Sequence, residues 1–172
     1  MGMKSNYTIR AKHFIEQFFN EWNFATINFD TFDTIREYVQ NYNIIHHRKV
    51  EFNHGLTRIA FITSDYVIKI DYNRTWAGNC EDEYNLYHNM IKNSPYFYLF
   101  AEITRYEYNG TIFYIMPRIY NINEDREEDV DEYLTSEEYD FIYETLQLHD
   151  LHSGNYGWKN KKVVIVDYAF HD

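Results

Sequence analysis

The first fifty residues alternate between apolar and polar positions in a way that predicts two amphipathic helices. Between residues 8 and 23, apolar side chains recur mostly at three- and four-residue spacing, which places them on one helical face. Those positions are Ile9, Phe14, Ile15, Phe18, Phe19 and Trp22. A second helix is predicted from about residue 31 to 43, with Asp30 or Thr31 as its N-cap. We interpret both helices as elements of core packing.

From about residue 50 the pattern favours strands. Segments 57–63 (TRIAFIT) and 66–72 (YVIKIDY) are rich in β-branched and aromatic residues, and Ser64-Asp65 between them suits a tight hairpin. Residues 80–92 are predicted to form a helix with acidic residues in its first turn, where they suit the helix dipole.

A second hairpin and a return to helix follow. Segments 100–107 and 111–119 are predicted strands, and Tyr108-Asn109-Gly110 between them is a hairpin signal. The acidic stretch 122–133 is interpreted as an exposed linker.

The last part of the chain is predicted to contain one helix and one strand. The helix begins at about Ser136, since Thr135 and Glu138 have the spacing of a capping box, and it ends near Leu148. A polar loop at 149–155 and a buried strand at 163–168 follow. Because the strands are concentrated in the middle and helices flank them, the predicted fold class is α+β.

Composition and charge limit the classes of partner. The chain has 172 residues, with 16 basic and 27 acidic side chains and a formal net charge of −11. Because DNA binding relies on cationic contacts to phosphates, nucleic acid is disfavoured, whereas a protein partner with a basic surface fits the charge. No apolar stretch reaches the length of a membrane span, and Cys80 is the single cysteine, so we expect a cytoplasmic protein without membrane contact.

The amino-acid usage also hints at a source. The chain has 18 tyrosines and 13 phenylalanines beside only 2 prolines and 6 glycines. This bias is typical of AT-rich coding sequence, as in many phages, and a phage protein would act in the host cytoplasm.

Three polar residues near the C-terminal end have a spacing that indicates phosphoryl transfer. Asp150 is followed five residues later by Asn155, and Asp167 ends a hydrophobic strand. Protein kinases use this order, because one carboxylate orients the attacking hydroxyl while an amide oxygen and a second carboxylate hold Mg²⁺. Upstream, Lys69 lies in a predicted strand and Glu83 in the helix after it, which is the kinase order of lysine and glutamate.

The motif resembles a known family. The run 149–155 (HDLHSGN) resembles the HGDLHxGN loop of aminoglycoside-phosphotransferase-type kinases, and 164–168 (VIVDY) resembles their metal-binding strand. Further upstream, six residues resemble the order found in small phage and bacterial proteins of kinase-like fold. They are Gly55, Arg58, Lys69, Gly78, Asn79 and Glu83.

The resemblance implies ATP and Mg²⁺ as cofactors and assigns a role to each matching residue. Asp150 is then the catalytic carboxylate, and Lys69 contacts the nucleotide phosphates while Glu83 orients it. Asn155 and Asp167 are the implied Mg²⁺ ligands.

The adenine site is implied along the strand of the second hairpin. Segment 114–119 corresponds to the hinge beside adenine, with Met116 and Pro117 near its centre. Val67 shares the face of Lys69 and is positioned to cover the base, with Ala60 beside it on the preceding strand.

The sequence departs from the family at three places. Leu148 and His149 replace a histidine and a glycine of the loop. Gly55 is the single glycine before the first hairpin, where close approach to phosphates favours several, and Arg58 is expected either to contact phosphate or to form a salt bridge. Five residues follow Asp167, with Ala169 at the position of the glycine in the kinase Asp-Phe-Gly motif, so we expect neither an activation loop nor a full helical lobe.

The resulting prediction is a truncated protein-kinase-like fold, with a small antiparallel sheet, a helix equivalent to the kinase C-helix and a minimal helical C-lobe. Residues 1–49 are expected to be a helical extension that docks in place of the missing lobe, and 50–172 the kinase-like domain. The predicted function is an ATP- and Mg²⁺-dependent phosphotransferase. The alternative is a weakly active or inactive kinase-like module, a pseudokinase, that binds and modulates a host or partner protein.

Overall fold

The fold was analysed in a computed structural model, which describes residues 6–21, 31–72, 79–120, 130–149, 151–152, 154–160 and 162–168. Four α-helices and seven strands lie in these ranges: α1 (Asn6–Glu21), α2 (Phe32–His46), β1 (Glu51–His54), β2 (Arg58–Ile62), β3 (Tyr66–Asp71), α3 (Cys80–Leu86), β4 (Thr104–Tyr108), β5 (Thr111–Pro117), α4 (Ser136–Asp140), β6 (Tyr156–Lys159) and β7 (Lys162–Ile165). Helices α3 and α4 each continue into a π-helical turn, at Tyr87–Ile91 and Phe141–Thr145 respectively. The predicted α+β class is confirmed.

The chain divides into two compact units, each described by itself. Unit 1 combines residues 1–76 with 104–118, and unit 2 combines 77–103 with 119–172. Unit 1 therefore holds α1, α2 and β1–β5, whereas unit 2 holds α3, α4, β6 and β7. The predicted boundary at residue 49 falls inside unit 1.

Unit 1 is a five-stranded antiparallel sheet with the strand order β1-β2-β3-β5-β4. Helix α1 lies on β3, β4 and β5, and α2 lies on β1. The rings of Phe18 and Phe61 are 5.2 Å apart, and those of Phe19 and Phe113 are 4.7 Å apart, so α1 is joined to two strands by aromatic contacts.

The expectation that the N-terminal helices replace a missing helical lobe is wrong. The apolar faces that motivated it are buried in the same core as Ile59, Phe61, Ile68 and Ile115 of the sheet. Because those faces are already removed from water by the strands, they are not available to stand in for another lobe.

Two tight turns hold the hairpins of unit 1 as predicted. At the β2–β3 turn, the Thr63 amide donates to the Tyr66 carbonyl at 3.0 Å. At the β4–β5 turn, Asn109 and Gly110 have φ values of 50° and 77°, the left-handed pair required by a two-residue type I′ hairpin.

In unit 2, strand β7 contacts two 3-10 turns, Phe97–Leu99 and Val130–Tyr133. An isolated parallel bridge joins Phe100 to Ile165, and Trp158 is bridged to Tyr120. Strand β4 therefore begins at Thr104 and not at residue 100 as predicted, because Phe100, Ala101 and Ile103 are buried within unit 2. Residues Val163, Val164 and Ile165 are all buried, as their continuous apolar run predicts.

Capping explains where α3 and α4 begin. Thr135 and Glu138 form the predicted capping box at α4, with both reciprocal hydrogen bonds present. Asn79 and Asp82 form a second capping box at α3, which the sequence analysis did not predict. Glu83 lies in the first turns of α3, four residues after the cap Asn79, and is buried.

None of the described helices is both long and apolar enough to span a bilayer.

Candidate functional site

Lys69 lies on the central strand of the sheet in unit 1. Its Cα partners are Ala60 on β2 and Tyr114 on β5. Its chain neighbours Ile68 and Ile70 belong to the core shared with the helices, so Lys69 lies on the opposite face of the sheet. Its side chain is only 8% exposed, and lysines are rarely buried to this extent unless paired.

The residues around Lys69 give this face an apolar surface beside a cation. Val67, two residues before Lys69, is opposite Met116 of β5, and Met116 is 2% exposed. Ala60, which has a small side chain, lies directly across from Lys69. The strand register thus brings together on one face four of the residues that the resemblance assigns to nucleotide: Ala60, Val67, Lys69 and Met116.

Most of the segment expected to form the hinge is part of a strand. Residues 114–117 are still part of β5, where Met116 pairs with Val67 and Pro117 with Tyr66. The strand ends at Pro117, and the Arg118 amide donates to the Asp65 carbonyl at 2.9 Å. The chain passes from unit 1 to unit 2 between Arg118 and Ile119.

Gly55 and Arg58 belong to one short turn between β1 and β2. The Gly55 amide donates to the Arg58 carbonyl at 2.9 Å, and the Tyr72 hydroxyl donates to the Gly55 carbonyl at 2.6 Å. Arg58 is the cross-strand partner of Asp71, so a basic and an acidic residue share one face of the sheet at this position.

In unit 2, Glu83 is a fully buried carboxylate on α3. Its side chain is 0% exposed, and its Oε1 accepts a hydrogen bond from the Tyr168 amide at 3.2 Å. The Tyr168 hydroxyl donates to the Ala101 carbonyl at 2.7 Å. Burying a carboxylate is costly unless its oxygens are hydrogen-bonded. The bond from the Tyr168 amide meets part of this need and joins Glu83 to the segment that follows Asp167. Lys69, its implied partner, is in unit 1.

Asn155 and Asp167 are brought together by three hydrogen bonds. The Asn155 carbonyl accepts from the amides of Val166 at 2.7 Å and Asp167 at 3.3 Å. In return, the Asn155 side-chain amide donates to the Asp167 carbonyl at 3.3 Å. Asn155 is 4% exposed, whereas Asp167 is partly buried. The polar loop and the residues that follow β7 are therefore joined by hydrogen bonds, so that two residues twelve positions apart lie side by side.

Asp150, the predicted catalytic carboxylate, lies outside the described residues, as do Ser153, Gly78 and Ala169. The chain is fixed on both sides of Asp150. The Leu148 amide donates to the Ile142 carbonyl at 3.1 Å, and the Asn155 amide donates to the His152 carbonyl at 2.8 Å.

Asn79 and Tyr168 belong to motifs that carry the resemblance, but their hydrogen bonds in this region were not predicted. The Asn-x-x-Asp spacing at the start of α3 was a readable signal for the Asn79 cap. The two hydrogen bonds of Tyr168 join it to residues that lie 67 and 85 positions away along the chain. A local sequence pattern does not predict contacts over such separations.

The donor atoms near the C-terminal end of the described chain suit a hard cation. Asn155 and Asp167 carry an amide and a carboxylate, the oxygen ligands that Mg²⁺ prefers. Within the described ranges, no group of three or more histidine, cysteine, aspartate and glutamate side chains is arranged to hold a metal ion. A magnesium site that uses one carboxylate, one amide and nucleotide phosphates does not require such a group.

Comparison with protein-family models, with curated proteins and with solved structures found no match to this chain. Its function is therefore inferred from its own residues and their arrangement.

Proposed function

We propose that this chain is a kinase-like phosphotransferase that uses Mg²⁺ and ATP. The observation that supports this best is the pairing of Asn155 with Asp167. Three hydrogen bonds join the segments of unit 2 that carry the asparagine and the last aspartate of the Asp-x4-Asn…Asp pattern.

The order of elements along the chain and the face of Lys69 support the same proposal. The lysine lies on the third strand of its sheet, as the kinase pattern requires, and the next helix along the chain carries the glutamate. The face of Lys69 combines a cation for phosphate with Val67 and Met116 for an apolar ring.

Each side chain then has a defined task. Mg²⁺, when bound with ATP, neutralises charge on the phosphates during transfer. Asn155 and Asp167 hold the ion, and Lys69 binds the phosphates. Glu83 keeps the backbone after Asp167 in place through the Tyr168 amide. Asp150 orients the acceptor hydroxyl.

The first test is stabilisation by nucleotide. Mg-ATP at 100 times its Kd stabilises a protein by about 2.7 kcal/mol, or roughly 5–11 °C in Tm for a chain of this size. We expect this shift in the wild type and its loss in Asp167→Asn. Asp140→Asn, which removes the same charge from an exposed position of α4, is the control and should keep the shift. A wild type that does not respond to Mg-ATP contradicts the proposal.

The second test separates binding from chemistry. Asp150→Asn should retain the Mg-ATP shift but lose transfer of phosphate from γ-labelled ATP, to water, to the chain itself or to added hydroxyl compounds. If the wild type binds Mg-ATP and shows no transfer in any of these assays, the chain is a nucleotide-binding module.

One observation favours that second candidate, the non-catalytic kinase-like module. The β1–β2 turn contains Gly55 as its single glycine and its backbone is closed by hydrogen bonds to Arg58 and Tyr72. Such a turn offers fewer backbone amides to phosphate than a loop with several glycines.

A further inference from the structure

A cavity of about 470 Å³ lies on the helical side of the sheet in unit 1. Three segments line it: α1, the last part of α2 with the stretch that follows it, and the β2–β3 turn. Tyr66 of β3 faces this cavity, whereas Lys69 lies on the other face of the same strand. The cavity is therefore separate from the candidate nucleotide face, which carries Ala60, Val67, Lys69 and Met116. Its volume is within the range of small-molecule sites.

The interior of the cavity is aromatic. Phe14, Tyr42 and Tyr66 line it, and each is at most 8% exposed. The rings of Phe14 and Tyr42 meet edge to face, with centroids 5.7 Å apart. The inner wall of the cavity is therefore apolar and aromatic, which favours contact with a planar ring.

The rim of the cavity is cationic in a chain that is otherwise strongly acidic. Arg10, Arg48 and Lys49 line it together with His13 and His47, whereas Asp65 is the single carboxylate among its lining residues. All of these rim side chains are exposed. An anion would therefore meet several positive groups at the opening, although the whole chain carries a net charge of −11.

The positive charges of Arg10 and Arg48 both act on the Tyr66 hydroxyl. Burial raises the pKa of the Tyr66 hydroxyl to about 12, while the positive charges of Arg48 and Arg10 both act to lower it. Both guanidinium groups are thus close enough to influence the same hydroxyl group. Arg10 is also paired with Asp65, with 2.8 Å between Nη2 and Oδ2.

The stretch after α2 is held in a fixed conformation. The Asn43 side chain binds both the amide and the carbonyl of Val50, at 2.9 and 2.8 Å. His47 ends the helix in the left-handed conformation, with φ of 50°. These contacts direct Arg48 and Lys49 to the cavity.

Stabilisation of the α2 dipole does not by itself account for this arrangement. Cations after a helix C-terminus offset its negative end wherever they lie within the last turn. That role does not require a cavity, an aromatic interior, or Arg10 supplied by a different helix.

From these features we propose that the cavity is a binding site for a small phosphate ester that carries a planar ring. The phosphate would bind Arg48, Lys49 and Arg10, since guanidinium groups match phosphate oxygens in geometry and charge. The ring would lie against Phe14, Tyr42 and Tyr66.

Calorimetric titration with phenyl phosphate tests the site. We expect saturable binding with a Kd at or below about 1 mM. Inorganic phosphate and phenol, each of which lacks one half of the ligand, should bind at least about tenfold more weakly. AMP and phosphotyrosine, titrated separately, distinguish a nucleobase from a phenyl ring as the preferred planar group.

Paired variants locate the binding in the cavity. Arg48→Gln should weaken phenyl phosphate binding by about tenfold or more, since it removes a charge-assisted hydrogen bond. Arg36→Gln, which removes the same charge from α2 away from the cavity, should change it little. Asp65→Asn should strengthen binding, because Arg10 loses its competing partner, and Asp33→Asn is its control.

Several results would overturn this assignment. The first is the absence of saturable binding at 10 mM phenyl phosphate, about ten times the expected Kd. The second is an unchanged affinity for phenyl phosphate in a folded Arg48→Gln, or a loss of affinity in Arg36→Gln as large as that in Arg48→Gln. The third is inorganic phosphate binding as tightly as phenyl phosphate. Because Arg48 is exposed, the variant should fold, which its circular dichroism and Tm would verify. The Mg-ATP shift is an independent readout: Arg48→Gln should keep it, and Asp167→Asn should keep phenyl phosphate binding.

Discussion

Buried polar groups in unit 2 show how single residues hold distant segments together. Glu83 is 0% exposed and Asn155 is 4% exposed, yet each is hydrogen-bonded to the backbone between Val166 and Tyr168. Since an unsatisfied buried polar group costs about 1–3 kcal/mol, these contacts specify one position for that segment. Any function of Asp167 depends on them.

A second buried acid of unit 2, Glu138, makes its stability depend on pH. Burial acts to raise its pKa, but hydrogen bonds from the Thr135 amide, the Tyr98 hydroxyl and the Thr135 hydroxyl outweigh it, so the pKa lies below its ordinary value of 4.5. The Tyr98 hydroxyl is 2.5 Å from Glu138 Oε1, and this hydrogen bond is the main reason that the pKa of Tyr98 is raised to about 12.

We expect Glu138 to stabilise the fold in its ionised form. Because its folded pKa is lowered, the contribution is complete above about pH 4.5 and is lost as the pH falls through the folded pKa. Urea unfolding of the wild type and of Glu138→Gln should therefore differ most near neutral pH and converge in acid. Glu137→Gln removes a charge from the exposed neighbour and should show no such convergence. A constant difference from pH 7 to 3 contradicts the assignment.

At the scale of elements, local pattern predicted those helices and strands whose apolar residues face a core. Helices α1 and α2, strands β2, β3 and β5, and both hairpin turns fall at or near their predicted positions. Strand β1 was missed because its four residues, Glu51–His54, are exposed or partly exposed and lack apolar alternation. Strand β6 was missed because Gly157 weakens its pattern. Both become strands through pairing with β2 and β7.

Two glycines in unit 1 should respond differently to the same change. Gly110 has φ of +77° in the β4–β5 turn, so Gly110→Ala should destabilise the fold by about 1–2 kcal/mol in urea unfolding. Gly55 lacks a left-handed φ, and a Cβ there would meet only the Arg58 carbonyl at 3.9 Å. Gly55→Ala should therefore leave stability unchanged or slightly higher.

The Gly55 variant also serves the functional proposal. Because Gly55→Ala is expected to fold normally, a loss of the Mg-ATP shift in this variant would place the β1–β2 turn against the nucleotide. A large loss of stability would instead mean that the turn needs glycine for its own conformation.

At the scale of the whole molecule, charge is the dominant feature. A formal net charge of −11 on 172 residues implies repulsion between like charges in the folded state. We expect the Tm to rise when sodium chloride is increased from about 0.01 to 0.15 M, because the screening length falls from roughly 30 to 8 Å. Each 1 kcal/mol of relieved repulsion should add about 2–4 °C. A Tm that falls or stays constant would show that local ion pairs, which salt weakens, outweigh the net repulsion.

The sequence by itself determined the α+β class, the hairpin turns, the cap of α4 and the residues of the phosphotransferase pattern. Each of these depends on residue types that recur within a few positions of one another. The tertiary structure decided what joins distant positions. It placed Lys69 opposite Ala60 and Tyr114, tied Asn155 to Asp167, gave Glu83 the Tyr168 amide, and formed a cationic cavity from three separate segments. Such contacts depend on which surfaces pack together, and a local pattern of apolar and polar residues does not encode that choice.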